Sequence, residues 1–240
     1  MATENTATEH AARIQTSLLN PYEKVVLNAL VRMVPRWMTS DHLSLVGLLG
    51  AVVIALGYAL TAFGPEWLWL TNFGFVMNWL GDSLDGTLAR YRQQQRPLYG
   101  FYLDHNLDCI CEFLMVFGAG LSVYLSMSVA LLIIVPYLML EVYVMINAHL
   151  KNEFRLTYAK LGPTELRLII ILANAVLYFV PALREWRGEF SLFGQEFTLL
   201  ALDIAGLAIS VSLVVIYIVS IVQDARYFAR IDPLPKRDEQ

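Results

Sequence analysis

The chain alternates long apolar stretches with short polar loops, a pattern typical of a protein that crosses a membrane several times. A helix that spans a bilayer needs about 20 mainly apolar residues, and six stretches approach or exceed that length. They lie near residues 42–62, 67–89, 104–125, 127–148, 166–184 and 198–222. The pattern therefore predicts an all-α fold with six transmembrane helices.

A shorter helical pattern precedes the first span, over residues 21–36. Apolar side chains repeat at helical spacing on one face, and Lys24, Asn28 and Arg32 repeat on another. This arrangement predicts an amphipathic helix in the membrane interface; the alternative is a helix packed on a cytoplasmic domain. The apolar face comprises Tyr22, Val25, Val26, Ala29, Leu30 and Met33. The predicted organisation is a surface or disordered lead (1–20), this helix (21–36), a six-helix domain (37–222) and a cytoplasmic tail (223–240).

Composition and charge placement support a membrane protein and give it an orientation. Hydrophobic residues make up 57% of the chain and charged residues 16%, which is too little charge for an ordinary soluble domain. All but two of the 17 Lys and Arg residues lie on the side of the termini; the exceptions are Arg184 and Arg187. The positive-inside rule therefore predicts an inner-membrane protein with both termini in the cytoplasm. No nucleic-acid partner is expected.

Four aspartates flank the loop between the second and third predicted spans. Asp82 and Asp85 are three residues apart, and Asp104 and Asp108 are four apart, so each pair shares one helix face. A basic linker between the pairs predicts antiparallel neighbouring helices whose acidic faces meet at the cytoplasmic side. The alternative is that these residues only cap helices and form turns, with Asp104 as an N-cap and Asp85 in a turn with Gly86.

Clustered carboxylates favour a metal site. Like charges at short range near lipid cannot all stay ionised without compensation, and oxygen ligands favour Mg²⁺ or Mn²⁺. Two such ions, a common device for phosphoryl transfer, are expected here. Gly86 and Ala89 leave room for a nucleotide near the backbone, and Arg90 lies within reach of a phosphate.

The motif D-x2-D-G-x2-A-R, followed after nine residues by G-x3-D-x3-D, resembles the signature of the CDP-alcohol phosphatidyltransferases. Its fixed positions are Asp82, Asp85, Gly86, Ala89, Arg90, Gly100, Asp104 and Asp108. The resemblance implies a six-helix membrane fold, commonly a homodimer, with a polar cavity open to the cytoplasm. It also implies that Asp82, Asp85 and Asp104 bind metal and that Asp108 is the general base and belongs to the metal site. The residues implied to bind the CDP group are Asp82, Asp85, Gly86, Ala89 and Arg90.

The substrates implied are a CDP-alcohol and an alcohol acceptor, with CMP released. CDP-diacylglycerol is the expected donor, and a CDP-choline or CDP-ethanolamine donor with a lipid acceptor is the alternative. Arg155, Lys160 and Arg167 are candidates for holding the acceptor, although cytoplasmic basic residues are also expected from topology alone. A weaker resemblance to a family motif lies at residues 38–47, where Thr39 fits; a helix start capped by Ser40 or Asp41 explains it almost as well.

The sequence leaves open the roles of several other ionisable residues and two alternative functions. His105, beside Asp104, is shared with the choline and ethanolamine phosphotransferase branch, yet its position favours a packing or headgroup contact. Glu112 is expected either at the floor of the cavity or hydrogen-bonded to a neighbouring helix, and Glu141 and Asp203 receive no role. A small cation-coupled transporter and a catalytically silent scaffold are the competing hypotheses from other classes.

Overall fold

The computed structural model of the protein describes residues 12–14, 19–151, 153–155, 162–192 and 195–234. Most of these residues are helical, and the strands are short. The helices are α1 (Asn20–Leu30), α2 (Ser40–Leu60), α3 (Trp67–Tyr91), α4 (Pro97–Leu121), α5 (Met127–Lys151), α6 (Pro163–Phe179), α7 (Pro181–Arg184) and α8 (Asp203–Ile231), with 3₁₀ turns at Val31–Met33 and Thr61–Phe63. Strands β1 (Ala12–Ile14) and β2 (Glu153–Arg155) pair in parallel, and β3 (Gly188–Leu192) and β4 (Gln195–Leu199) form an antiparallel hairpin.

The predicted all-α class is confirmed, and the chain is a membrane protein. Among the described residues, three helical segments are long and apolar enough to cross a bilayer: Ser40–Phe63, Met127–Lys151 and Asp203–Ile231. The other long helices carry more polar residues or, in the case of α6, reach only 17 residues. The six-span arrangement therefore remains a prediction.

Several helix boundaries differ from the predicted ones. The fifth segment was expected to run unbroken to residue 184, but α6 ends at Phe179 because Pro181 cannot continue its hydrogen-bond ladder. The sixth was expected from residue 198, where the structure instead has β4. Helix α8 begins at Asp203 and runs to Ile231, well into the segment expected to be a tail.

Helix α2 lies between α3 and α4 and packs closely on both. A Cβ added to Gly50 would lie 2.9 Å from the Gly74 carbonyl oxygen, and one added to Gly74 would lie 2.7 Å from the Ile54 nitrogen. The α2 and α3 backbones therefore touch, as small residues allow in membrane helices. A Cβ added to Gly118 of α4 would likewise lie 2.5 Å from the Cα of Ala55 of α2. Helix α2 makes the main backbone contacts with both α3 and α4, whereas α3 and α4 approach each other through their aspartate side chains.

Helix α1 packs against α3 and α6. Leu27 is buried among the apolar residues of α3, and one oxygen of Glu23 accepts three side-chain hydrogen bonds. These come from Trp79 Nε1 (2.8 Å) and Ser83 Oγ (3.1 Å) on α3 and from Thr164 Oγ1 (2.9 Å) on α6. The apolar side chains expected on its lipid face, such as Tyr22, Val25 and Met33, are exposed.

Asp203, which the sequence left without a role, joins the start of α8 to the start of α5. It is fully buried, and its Oδ1 accepts a hydrogen bond from the Ser126 backbone N–H at 2.7 Å. Its Oδ2 accepts one from the Leu200 N–H at 2.9 Å. Both donors lie just before a helix, where backbone N–H groups lack intrahelical partners. The carboxylate is thus a structural link.

Substituting Asp203 should therefore lower the stability of the fold more than it changes the chemistry at the aspartate cleft. We expect Asp203→Ala to lower the free energy of unfolding by about 3 kcal/mol, because two buried charge-assisted hydrogen bonds are lost. Thermal unfolding of the purified protein in detergent measures this. The exposed Asp232, just after α8, provides the control: Asp232→Ala should unfold like the wild type. Equal stability of the two variants would contradict the assigned link.

Candidate active site

Three of the four signature aspartates converge on one point. One carboxylate oxygen each from Asp82, Asp104 and Asp108 lies within 4.8 Å of the others, and all three residues are half-buried. Asp82 comes from α3 and the other two from α4, so the meeting of the two acidic faces expected from the sequence occurs. Residues of α2 line the same cleft beside these aspartates.

Asp85 lines the same cleft but is held by α2. Its Oδ2 accepts a hydrogen bond from Ser44 Oγ at 2.6 Å, and its Oδ1 accepts one from the Gly86 N–H. Ser40 Oγ also donates to the Asp85 carbonyl at 2.9 Å. Sequence reasoning did not assign this positioning role to Ser44, although the serine lies in the segment that weakly resembled a family motif.

The start of α2 is capped by Thr39, not by Ser40 or Asp41. Thr39 Oγ1 accepts a hydrogen bond from the His42 N–H, and the Thr39 N–H donates to His42 Nδ1 at 3.1 Å. This reciprocal arrangement satisfies backbone groups at the helix start. Since Ser40 is freed from capping, its hydroxyl can bind α3 beside the aspartates.

The aspartates do not serve as caps or turn residues. Asp85 and Gly86 lie inside α3, which continues to Tyr91, and Asp104 lies well inside α4, which begins at Pro97. The chain reverses between the helices at Gln93, which adopts φ 55°. The alternative that explained these residues by capping and turns is therefore wrong.

The cleft between the carboxylates is small. It encloses about 20 Å³, which suits a water or a bare cation and is too small for a nucleotide. A larger substrate must therefore lie on the open side of the carboxylates. The cleft is lined by Ser44, Gly47, Leu48, Asn78, Asp82, Asp85, Asp104, Leu107, Asp108 and Cys111.

The residues expected to bind the nucleotide lie on the last turns of α3. A Cβ added to Gly86 would lie 3.3 Å from Arg90 Nη1, so the guanidinium lies beside the glycine. Arg90 Nη2 donates to Thr87 Oγ1 at 3.2 Å, and the side chain is exposed. Ala89 is half-buried on the same turn. The positive charge of Arg90 thus lies next to Gly86, where the helix backbone is not covered by a side chain.

Of the basic residues proposed for the acceptor, Arg167 reaches the carboxylates. Its Nη2 lies 2.7 Å from Asp82 Oδ2, and its side chain is only 15% exposed. The positive charge partly balances the acidic cluster. The side chain of Arg155 and the whole of Lys160 lie outside the described residues, so their predicted roles stay predictions.

The remaining polar groups near the site contact neighbouring helices or their own helix. Glu112 Oε1 accepts a hydrogen bond from Tyr137 Oη on α5 at 2.6 Å, and Cys109 Sγ lies 3.2 Å from Glu141 Oε2. Glu112 is therefore a link between α4 and α5, one of the two alternatives for it, and it does not line the described cleft. His105 packs on Phe101, with ring centroids 4.1 Å apart.

The donor set fits a hard divalent cation. Three carboxylates within 4.8 Å of one another could hold such an ion, and oxygen ligands of this kind favour Mg²⁺ or Mn²⁺ over softer metals. The fold and the cleft together define a membrane protein with a carboxylate site lined by α2, α3 and α4.

Sequence comparison places the chain in a family of transferases. The CDP-alcohol phosphatidyltransferase family matches residues 37–218, and the chain belongs to this family, as the signature motif predicted. Human cholinephosphotransferase 1 is 25% identical over 169 residues, which cover 68% of this chain and 41% of the relative. The Bos taurus cholinephosphotransferase 1 is 24% identical over 169 residues, with the same coverage. The chain thus spans about two fifths of the length of these curated relatives.

Proposed function

We propose that this enzyme transfers a substituted phosphate group from a CDP-alcohol to an alcohol acceptor and releases CMP. The observation that carries the proposal is the convergence of Asp82, Asp104 and Asp108 from two helices within the region that matches the family. Two basic groups lie close by: Arg167 contacts Asp82, and Arg90 lies beside Gly86 on the same helix as Asp82 and Asp85. Such an arrangement suits the transfer of a phosphate-linked group between two substrates at a membrane.

The aspartates have distinct proposed roles. Asp82, Asp85 and Asp104 would hold the metal, Mg²⁺ or Mn²⁺ and two ions in all, with Asp108 close by. A bound divalent cation neutralises the charge of the pyrophosphate and of the departing CMP phosphate. Ser44 orients the Asp85 carboxylate from α2.

Asp108 is the proposed general base. Its carboxylate takes the proton from the acceptor hydroxyl as the acceptor oxygen attacks the β-phosphorus of the donor in line. The new bond joins the acceptor oxygen to the β-phosphorus, and the bond from that phosphorus to the bridging oxygen breaks. CMP leaves with the bridging oxygen and the electron pair, and the proton stays on Asp108 until solvent removes it.

The substrates would occupy opposite sides of the carboxylates. Gly86, Ala89 and Arg90 would receive the CDP group against the exposed end of α3. Arg167, together with Arg155 and Lys160, would hold the acceptor on the α6 side. The contact of Arg167 with Asp82 supports this placement, because it brings a cation to the edge of the cluster.

The proposed membrane arrangement has α2, α3, α4, α5, α6 and α8 as the six spans of a domain over residues 37–222. Helix α1 would lie in the interface, and both termini and the cleft would face the cytoplasm of an inner-membrane protein. The working assembly would be a homodimer, as the resemblance implies. The exposed apolar side chains of α5 and α8, such as Leu132, Val135, Val211 and Val215, support contact with lipid.

CDP-diacylglycerol with a small alcohol acceptor is the proposed substrate pair. A second pair, a CDP-choline-type donor with a lipid acceptor, is favoured by the similarity to two proteins named cholinephosphotransferase 1. Both pairs use the same chemistry at the phosphorus, and they differ in which substrate carries the lipid chains.

Release of CMP by the purified full chain tests the function. The donors are CDP-diacylglycerol, paired with serine, glycerol 3-phosphate or inositol phosphate, and CDP-choline, paired with diacylglycerol. We expect CMP only when donor, acceptor and Mg²⁺ or Mn²⁺ are all present, and we expect EDTA to stop its release until metal is restored. Absence of CMP in every combination, with metal-dependent cation uptake into vesicles instead, would favour a transporter.

A further inference from the structure

Asn78 lies at the inner end of the aspartate cleft. It is four residues before Asp82 on α3, so it lies one turn deeper on the same face. The residue lines the cleft with the four aspartates, and it is only 1% exposed. Nothing in the signature motif includes this position.

The orientation of the Asn78 amide is set by α2. Its Nδ2 donates a hydrogen bond to the Gly47 carbonyl oxygen at 3.0 Å. A reversed amide would bring Oδ1 against that carbonyl, and two acceptors would then face each other. The backbone is equally constrained, since a Cβ on Gly50 would lie 2.8 Å from the Asn78 Cα.

This orientation leaves the Asn78 Oδ1 as a buried acceptor. Within the described part of the chain, Oδ1 has no hydrogen-bond partner and is shielded from solvent. Buried polar atoms in native proteins nearly always have a partner. Of the groups that line the cleft with Asn78, the aspartate carboxylates are acceptors, the Ser44 hydroxyl donates to Asp85, and the Cys111 thiol is only a weak donor. A cation, or a water bound to it, would supply the partner that Oδ1 lacks.

We infer that Asn78 Oδ1 is a further oxygen contact of the divalent cation, made directly or through one of its bound waters. The inference rests on the proposed metal site and extends it to a neutral ligand below the carboxylates. An amide oxygen is a suitable ligand for Mg²⁺ or Mn²⁺, and Mg²⁺ usually keeps several waters that can donate to such an oxygen. Asn78 would thus fix the depth at which the ion binds.

The experiment measures Mn²⁺ binding to the full-length protein in detergent, from the electron paramagnetic resonance signal of free Mn²⁺. We expect Asn78→Ala to weaken Mn²⁺ binding about tenfold, the effect typical of lost outer contacts to a metal. Asn78→Asp should bind Mn²⁺ more tightly than the wild type, because it adds a negative oxygen at the same place. Because no substrate is present, this readout is independent of turnover.

Asn174 provides a matched control. It is also 1% exposed, but its amide binds Tyr58 Oη at 3.1 Å and Asn72 Oδ1 at 2.9 Å, away from the cleft. Asn174→Ala should leave Mn²⁺ affinity unchanged, whereas an equal loss in both alanine variants would overturn the inference by showing a general packing effect.

The outcomes separate this inference from the proposed function. Wild-type affinity in Asn78→Ala overturns the role of Asn78 and leaves the metal site intact. If Asn78→Ala does not fold, Asn78→Asp decides, and affinity no tighter than wild type overturns the inference. A wild-type protein that binds no Mn²⁺ would overturn the metal site itself and the role of Asn78 with it.

Discussion

Asp108→Asn should reduce CMP release by about a thousandfold or more while the protein stays folded. Asparagine has the same shape as aspartate, but its amide cannot take the acceptor proton, and general-base catalysis typically contributes about 10² to 10⁴ in rate. Asp108 also lies in the cluster proposed to hold the metal, which adds to the loss. The measurement is the steady-state rate of CMP release at saturating donor, acceptor and Mn²⁺.

Two controls make this result specific. Asp232→Asn, a substitution at an exposed residue past α8, should retain the wild-type rate. Thermal unfolding of Asp108→Asn should match that of the wild type or exceed it, because a negative charge is removed from an acidic cluster. A rate within tenfold of the wild type would remove Asp108 as the base.

Gly81→Ala should destabilise the fold by about 3 kcal/mol or more. The added Cβ would fall on the backbone of Gly47, with its nitrogen and Cα both in collision range. Neither helix backbone can yield without separating α2 from α3, and overpacking that shifts side chains and backbone typically costs about 1 to 3 kcal/mol and occasionally more. The yield of monodisperse protein after detergent extraction and its unfolding temperature measure the effect.

Gly100→Ala is the matched substitution. A Cβ at Gly100 meets nothing within 4 Å, and the exchange of Gly for Ala in a helix is favourable by up to about 1 kcal/mol. Stability of the Gly100→Ala protein should equal or exceed that of the wild type. If both alanine variants unfold at the same temperature, the close approach of α2 and α3 does not limit stability.

The local part of the site could be predicted from the sequence. The spacing of Asp82 with Asp85, and of Asp104 with Asp108, depends only on helical periodicity, so it placed the acidic faces correctly. The signature motif likewise identified the family. Neither pattern contains the long-range contact that holds Asp85 to Ser44 at 2.6 Å, because that contact depends on how α2 packs.

The position of α2 between α3 and α4 follows from helix packing, which a motif does not encode. A signal was nonetheless present, since Gly47 and Gly50 on α2 can match Gly74 and Gly81 on α3 as small residues at a helix contact. Without knowledge of which faces meet, these glycines cannot be distinguished from glycines that face lipid.

The β3–β4 hairpin was missed because most of its residues were taken as the loop between the fifth and sixth spans, and the end of β4 was counted toward the sixth. In the sequence, Phe190 and Phe197 alternate with polar neighbours on either side of Gly194, a pattern typical of a hairpin, and their rings stack at 5.3 Å. The role of Asp203 was beyond sequence reasoning, because its partner Ser126 lies 77 residues earlier in the chain.

The contacts of Glu23 indicate how much of the chain before α2 the fold around the aspartates needs. The family match begins at residue 37, so a fragment cut to that boundary would lack the acceptor that Trp79, Ser83 and Thr164 share. Trp79 and Ser83 flank Asp82, and Thr164 is three residues before Arg167. Truncation at the edge of the family match should therefore loosen the α3 and α6 sides of the aspartate cleft, although every signature residue would still be present.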